Sequence, residues 1–267
     1  MIETLEDQRT LLGMVDAVSM AGFELKERFS ANRRPASRDE ITNLIHDIDA
    51  VSTDILRKRL ASIQPDIPIE QDENAHGLLS LGERWVIDPV EGAINHVHGT
   101  TEWCITATLI RDNVPVHAAV HLPLLSQTYT ASRGRGAFLN GAPIRVSVKN
   151  QLNGALVGTG QATPGESAEV YRQIADSTYR LLQHALTVSV SVPSTMQLVR
   201  VADGRMDAFW QLSAIHSGLV SGALLVQEAG GTVTDINGRP WSLESHDFLA
   251  APPQLSGSLV ELLGSVF

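Results

Sequence analysis

The sequence has a single cysteine, Cys104, so it can form neither an intrachain disulfide nor a cysteine-based metal cluster. Its neighbours Trp103 and Ile105 suggest a strand, where a buried thiol serves as inert packing rather than as a nucleophile. No apolar run approaches the roughly 18 residues of a membrane span. The first residues, Met1-Ile2-Glu3-Thr4-Leu5-Glu6-Asp7, lack the basic start and apolar stretch of a signal peptide, so a cytoplasmic location is expected. Positive charge is also in short supply. There are 20 Lys and Arg against 30 Asp and Glu, a net charge of −10. That balance argues against nucleic acid as the main partner, because phosphate backbones call for clustered Lys and Arg. A small anionic substrate stays open, since one pocket can differ from the average.

The rest of the composition is that of an ordinary globular chain. Its 267 residues are 43% hydrophobic and 19% charged, enough for one large domain or two modest ones. Leu11, Val15, Val18, Gly22, Leu25 and Phe29 repeat at spacings of four and three, which predicts an amphipathic helix ending before Asn32-Arg33-Arg34-Pro35. Ile48, Val51, Ile55, Leu56, Leu60 and Ile63 predict a second helix, closed by Pro65 and Pro68. Strands are expected over residues 83–88, 102–110, 114–122 and 129–132, with hairpin chemistry at Arg111-Asp112-Asn113 and Asn140-Gly141. Further helices are expected over 166–186, 194–204 and 217–229, the last stopped by Gly230-Gly231 before a strand at Thr232–Asp235. Mixed helices and strands along the whole chain imply packed α and β layers. A soft boundary falls in the polar stretch 148–155. It divides an N-terminal α+β region, 1–150, from a C-terminal α/β region, 151–267, within one compact unit.

The segment with the most chemistry is Trp85-Val86-Ile87-Asp88-Pro89-Val90-Glu91-Gly92-Ala93-Ile94-Asn95-His96-Val97-His98-Gly99. It puts one carboxylate at a strand end, a second three residues on, and then a glycine at a helix start. Two carboxylates can hold a hard divalent cation through oxygen. The N–H groups of a helix start can meet a phosphate or sulfate. Upstream, Ile69-Glu70-Gln71-Asp72-Glu73 offers more carboxylates. By spacing alone a solvated acidic loop is the favoured reading.

This segment resembles the inositol monophosphatase signature W-I-I-D-P-[IL]-D-G-T-x-N-F-V-H-G. Three further stretches resemble that family in the same order: Ser132–Gly141 (G-x-G-A-F-x-N-G), Val201–Trp210 (A-x-G-R-x-D-A-x-W) and Gly222–Gly231. The resemblance spans nearly the whole chain and implies the family's layered αβαβα sandwich and its dimer. It also implies metal ligands. Glu70, Asp88, the Val90 carbonyl and Glu91 are the counterparts of family residues that hold Mg²⁺, with Gln71 in place of a second Glu.

Several family residues are replaced. The second aspartate of the signature is Glu91, one methylene longer. The threonine that helps activate water is Ala93. The W-D pair is Ser217-Gly218, so a carboxylate is missing, and a substrate-contacting Glu is Gln211. The family's upstream water-activating Asp aligns with Ile45, or with Asp47 if the register shifts. The expected catalytic set is Glu70, Asp88 and Glu91, from this resemblance, with His216 added because it precedes the vacated ligand position at Gly218; a structural, hydrogen-bonded histidine is the other reading of His216. Gly92, Ala93, Gln211, Ser217 and Gly218 are expected to line the substrate site. His98 matches the family's own structural histidine, and His46 and His96 are expected at the surface or in packing.

Losing a ligand and a water-orienting hydroxyl weakens hydrolysis more than anion binding, because anion binding uses backbone N–H groups. The expected function is therefore action on a small phosphate- or sulfate-esterified metabolite by a non-hydrolytic route, either elimination or intramolecular displacement. The alternatives are a residual Mg²⁺-dependent phosphomonoesterase and a non-catalytic pseudophosphatase subunit, as a homodimer or beside a partner enzyme.

Overall fold

The computed structural model describes residues 5–70, 77–161, 166–212 and 217–264. Two long helices open the chain, α1 (Leu5–Arg28) and α2 (Arg38–Ile63). Ser37 caps α2 by accepting the Glu40 N–H, and the Glu40 carboxylate reaches back to the Ala36 N–H, so donors left over by the first turn are satisfied. The buried residues of α2 are Ile48, Ser52, Leu56 and Leu60, one per turn, and that stripe turns inward.

Six strands follow in a meander: β1 (Glu83–Glu91), β2 (Cys104–Arg111), β3 (Val114–Leu122), β4 (Gln127–Ser132), β5 (Gly136–Leu139) and β6 (Ala142–Pro143). All are paired antiparallel in chain order. A one-turn helix, α3 (Ala93–Val97), sits between β1 and β2. The second sheet has the order β10-β11-β9-β7-β8, built from β7 (Leu156–Thr159), β8 (Thr187–Val190), β9 (Ala208–Gln211), β10 (Thr232–Thr234) and β11 (Phe248–Ala251). Its β7, β8 and β9 run parallel, joined by the crossover helices α4 (Ala168–Leu182) and α5 (Ser194–Ala202). Helix α6 is Ser217–Glu228 and α7 is Pro253–Gly264.

Three hydrophobic clusters define the layers. Met14, Leu25, Leu56, Trp85 and Trp103 pack α1 and α2 onto the first sheet. Val120, Tyr129, Leu198, Leu224, Phe209 and Phe248 fill the space around α5 and α6, between the two sheets. Trp210, Leu181, Leu249 and Leu259 pack α4 and α7 outside the second sheet. The result is the expected αβαβα sandwich, in which each fully buried aliphatic side chain contributes about 1.5–3 kcal/mol.

The helix predicted over 166–186 spans Ala168–Leu182, and the strand Thr187–Val190 that follows it was not among those expected. Periodicity could not separate them, because the short β8 lies at the sheet edge with three of its four residues exposed and carries no alternating pattern. Among the described residues, no helix is long and apolar enough to cross a membrane.

Candidate functional site

The site begins with an irregularity in β1. Asp88 stands opposite Thr106, but Glu91 stands opposite Cys104, so three steps along β1 match two along β2. In a regular strand, residues three apart point to opposite faces. The extra residue of this bulge turns Asp88 and Glu91 to the same side. The bulge is pinned twice. The Ser52 hydroxyl donates to the Pro89 carbonyl at 2.6 Å, and the Asp88 N–H donates to the Thr106 hydroxyl at 3.2 Å.

The two carboxyl groups hydrogen-bond to each other. Loss of hydration and the neighbouring Glu91 push the Asp88 carboxyl well above its ordinary range, although the residue keeps some accessible surface. Glu91 is buried, and its backbone neighbour in β2, Cys104, feels both charges: burial first, then Glu91 and Asp88, raise its thiol. Cys104 is thus buried and protonated, in line with packing.

A third carboxylate also acts here, and neither alignment of the upstream aspartate placed it. The charge of Asp49 reaches Asp88 and pushes it further up. Burial raises Asp49 itself, against a smaller lowering by His46. Asp49 lies three residues before Ser52 on α2 and so shares its face toward the bulge. Asp47 is exposed, and Ile45 packs into the core beside α1, so of the three positions it is Asp49 that faces the carboxylates of β1. Little in the sequence signals this, because Asp49 falls at the polar edge of the buried stripe, three residues before Ser52.

Gly92 makes the turn from β1 into α3 at φ 90°, a left-handed conformation that suits glycine. A side chain there would stand 2.7 Å from the Glu102 carbonyl oxygen and 3.0 Å from Pro193. Ala93 opens α3. With five residues, α3 offers backbone N–H groups rather than a sizeable dipole. Asn95 ties this corner together by donating from Nδ2 to the carbonyls of Glu102 (2.7 Å) and Val192 (2.8 Å). His96 is fully buried against Phe29 and Trp103 and bonded to the Leu25 carbonyl, and His98 bonds the Ile94 carbonyl at the end of α3. Both are structural.

The opposite wall comes from the second half of the chain. Gln211, at the end of β9, is buried and accepts a hydrogen bond from the Ser194 hydroxyl at the start of α5. The start of α6 carries Ser217 and Gly218, both buried, and Thr195 donates to the Gly218 carbonyl at 3.0 Å. Gly218 faces Glu91: a Cβ built on it would lie 3.3 Å from Glu91 Oε2 and 3.6 Å from Oε1. The hairpin Ser132–Gly136 fixes α6 to the first sheet. The N–H groups of Gly134, Arg135 and Gly136 all donate to the Glu228 carboxylate, at 2.7, 3.0 and 2.8 Å.

Glu70 lies beside β1, one residue beyond the Ile69–Trp85 bridge, with its N–H on the Trp85 carbonyl. His216 and Gln71 lie outside the described residues. Among the described residues, no group of three acidic, His or Cys side chains is gathered as a metal site.

The bulge, the glycine turn and the carboxylates occur in a chain whose residues 7–266 match the family model for the inositol monophosphatase family. The chain belongs to that family. It is 33% identical over 228 residues to a protein named putative Nus factor SuhB from Neisseria meningitidis, covering 84% of this chain and 85% of that protein. It is 29% identical over 253 residues to inositol-1-monophosphatase from Rhizobium meliloti, covering 94% of each. The fold superimposes on the structure of inositol monophosphatase from Anabaena with a TM-score of 0.81 at 24% identity, over 97% of this chain and 96% of that one.

Family membership makes Mg²⁺ the cation to test against these residues. Two adjoining carboxyl groups, next to a backbone carbonyl, form a hard oxygen donor set. Mg²⁺ is often held by one or two carboxylates with water and substrate oxygens completing its shell. Asp88, Glu91 and the Val90 carbonyl therefore fit one such ion. Glycine at 218 provides no carboxylate from the start of α6 for a second.

Proposed function

We propose that this site binds a small phosphate- or sulfate-esterified metabolite and hydrolyses it slowly with the help of one divalent cation. The observation that carries this reading is the pairing of Asp88 and Glu91 at the bulge beside Gly92 and Ala93, with the charge of Asp49 reaching Asp88. Asp88, Glu91 and Val90 would hold the cation, and Glu70 would contribute from the edge of the site. Mg²⁺, when bound, would neutralise charge on the ester and lower the pKa of a bound water. Asp49, a partly buried carboxylate with a raised pKa, suits the acceptance of a proton from attacking water. The backbone N–H groups at Gly92 and Ala93 would face the charged end of the ester. Gln211, Ser217 and Gly218 would border its remainder, and His216 would complete the catalytic set.

Ala93 favours a second reading. Without a hydroxyl to orient water, the ester bond can instead break by elimination or by attack from within the substrate. The names of relatives such as the Neisseria Nus factor support a third, a non-catalytic role as a homodimer or beside a partner protein.

One experiment separates the three. Mn²⁺ and Mg²⁺ binding is measured by calorimetry on the wild type and Asp88→Asn, with a phosphomonoester assay in ¹⁸O-water. The proposal expects one cation per chain, at least about 100-fold weaker binding in the mutant, and ¹⁸O in the released phosphate. Phosphate released without ¹⁸O supports the second reading. Absence of both binding and turnover overturns catalysis and leaves the third.

A further inference from the structure

The start of α6 and the end of β1 meet at one point, and only one of them supplies a side chain there. Glu91 is enclosed on its other sides. Asp88 hydrogen-bonds to it, and β2 lies behind it through the Cys104 pairing. In front stands Gly218, whose absent Cβ would fall 3.3 Å from the Glu91 carboxylate. That is tighter than most real Cβ contacts, so a side chain at 218 requires the Glu91 carboxylate to give way. The N-terminal end of the 12-residue α6 favours negative charge nearby, so Glu91 is well placed against it. The Thr195 hydroxyl, bonded to the Gly218 carbonyl, keeps α6 from retreating.

We infer that Glu91 and Gly218 form a reciprocal pair: the longer carboxylate of Glu91 occupies the space that a side chain at 218 would fill, so the two positions carry one carboxylate between them. This inference deepens the proposed site and rests on its assignment of Glu91, but it can fail separately. Restoring a carboxylate at 218 will then not simply add a ligand. It will displace the one already there.

The test is a melting-temperature cycle on the metal-free protein with Gly218→Asp, Glu91→Asp and the double variant. Gly218→Asp alone is expected to lower the melting temperature by several degrees, on the scale of about 2–4 °C for each kcal/mol in a chain of this size. In the Glu91→Asp background the same change is expected to cost less than half as much. Gly218→Ala provides a milder probe. Alanine ordinarily improves on glycine in a helix. A fall in melting temperature with Glu91 present, and its disappearance in the Glu91→Asp background, therefore supports the pair. Equal shifts in both backgrounds, for both substitutions, overturn it. Calorimetry with Mn²⁺ on the wild type and the Gly218→Asp and Glu91→Asp proteins reads cation number. A gain of a second cation by Gly218→Asp with Glu91 intact also overturns the pair, whereas failure of the wild type to bind Mn²⁺ counts against the proposed function and not against the melting cycle.

Discussion

The two walls of the site are built on different physical terms. The wall from the first half of the chain is charged and irregular: Asp88 and Glu91 adjoin at a strand bulge within reach of the charge of Asp49, and burial first, then Glu91 and least Asp49, raise Asp88. The wall from the second half is neutral and tightly packed. Gln211, Ser194, Thr195 and Ser217 present amide and hydroxyl groups, and glycines let the helices approach. Crowded carboxylates are costly unless something positive joins them. The neutral wall gains stability from its packing and has none of that cost. On the proposed function, reaction chemistry is concentrated on the first wall, His216 apart, while the second holds shape.

The sharpest way to break this contrast is at Asp49. If it accepts the proton from water, Asp49→Asn should lower turnover by about 10²–10⁴-fold, the usual contribution of a positioned base, with cation affinity nearly unchanged. Asp47→Asn, at the exposed position, should leave turnover within about twofold of wild type. Steady-state kinetics on both variants decides it. Equal losses in the two would remove Asp49 from the reaction.

The second wall should instead break through volume. A Cβ on Gly222 would stand under 3.0 Å from three Leu198 side-chain atoms, including the Leu198 Cβ, which cannot swing away. Gly222→Ala should therefore destabilise by about 1–3 kcal/mol, outweighing the roughly 0.5–1 kcal/mol that alanine normally adds in a helix. Gly257→Ala, on α7, meets nothing within 4 Å and should be stabilising. Denaturant melts of both variants check the sign. A stabilising Gly222→Ala would mean that α5 and α6 yield easily and that the second wall is less rigid than its packing suggests.

These walls were not equally legible in the sequence. The layered fold followed from helical and alternating periodicities and from motifs in the family's order, and Asp88, Glu91 and Gly92 stood out through the resemblance to the family signature rather than by spacing, which suits a solvated loop as well. Asp49 did not, because a carboxylate in a long polar-faced helix looks like any solvated one until Ser52 is seen gripping Pro89. The tie between Glu91 and Gly218 was also hidden. Each looks like a separate loss in one dimension, and only the distance between them relates the two. Gln211 stood out as a substitution by charge, while its bond to Ser194 depends on the meeting of β9 and α5.

A smaller effect would sharpen the contrast by pH. His121 in β3 lies under α1, its Cδ2 close to Gly22, and its Nδ1 pairs with the Thr128 hydroxyl at 2.9 Å. Burial, with a smaller contribution from Lys26, lowers its pKa from 6.5 to about 4. The folded chain therefore keeps this ring neutral where the unfolded chain protonates it. Because the folded pKa is depressed, the unfolded state binds the extra proton between those two values. Stability from this site is present above pH 6.5 and is lost as pH falls toward 4. The ring is partly accessible, so the loss is modest. His121→Gln should flatten the melting-temperature profile over that window without altering it at neutral pH. Parallel profiles for the two proteins would show that α1 and the first sheet, on which the charged wall stands, do not depend on the ring's charge, and the acid sensitivity of the chain would then have to come from the carboxylates themselves.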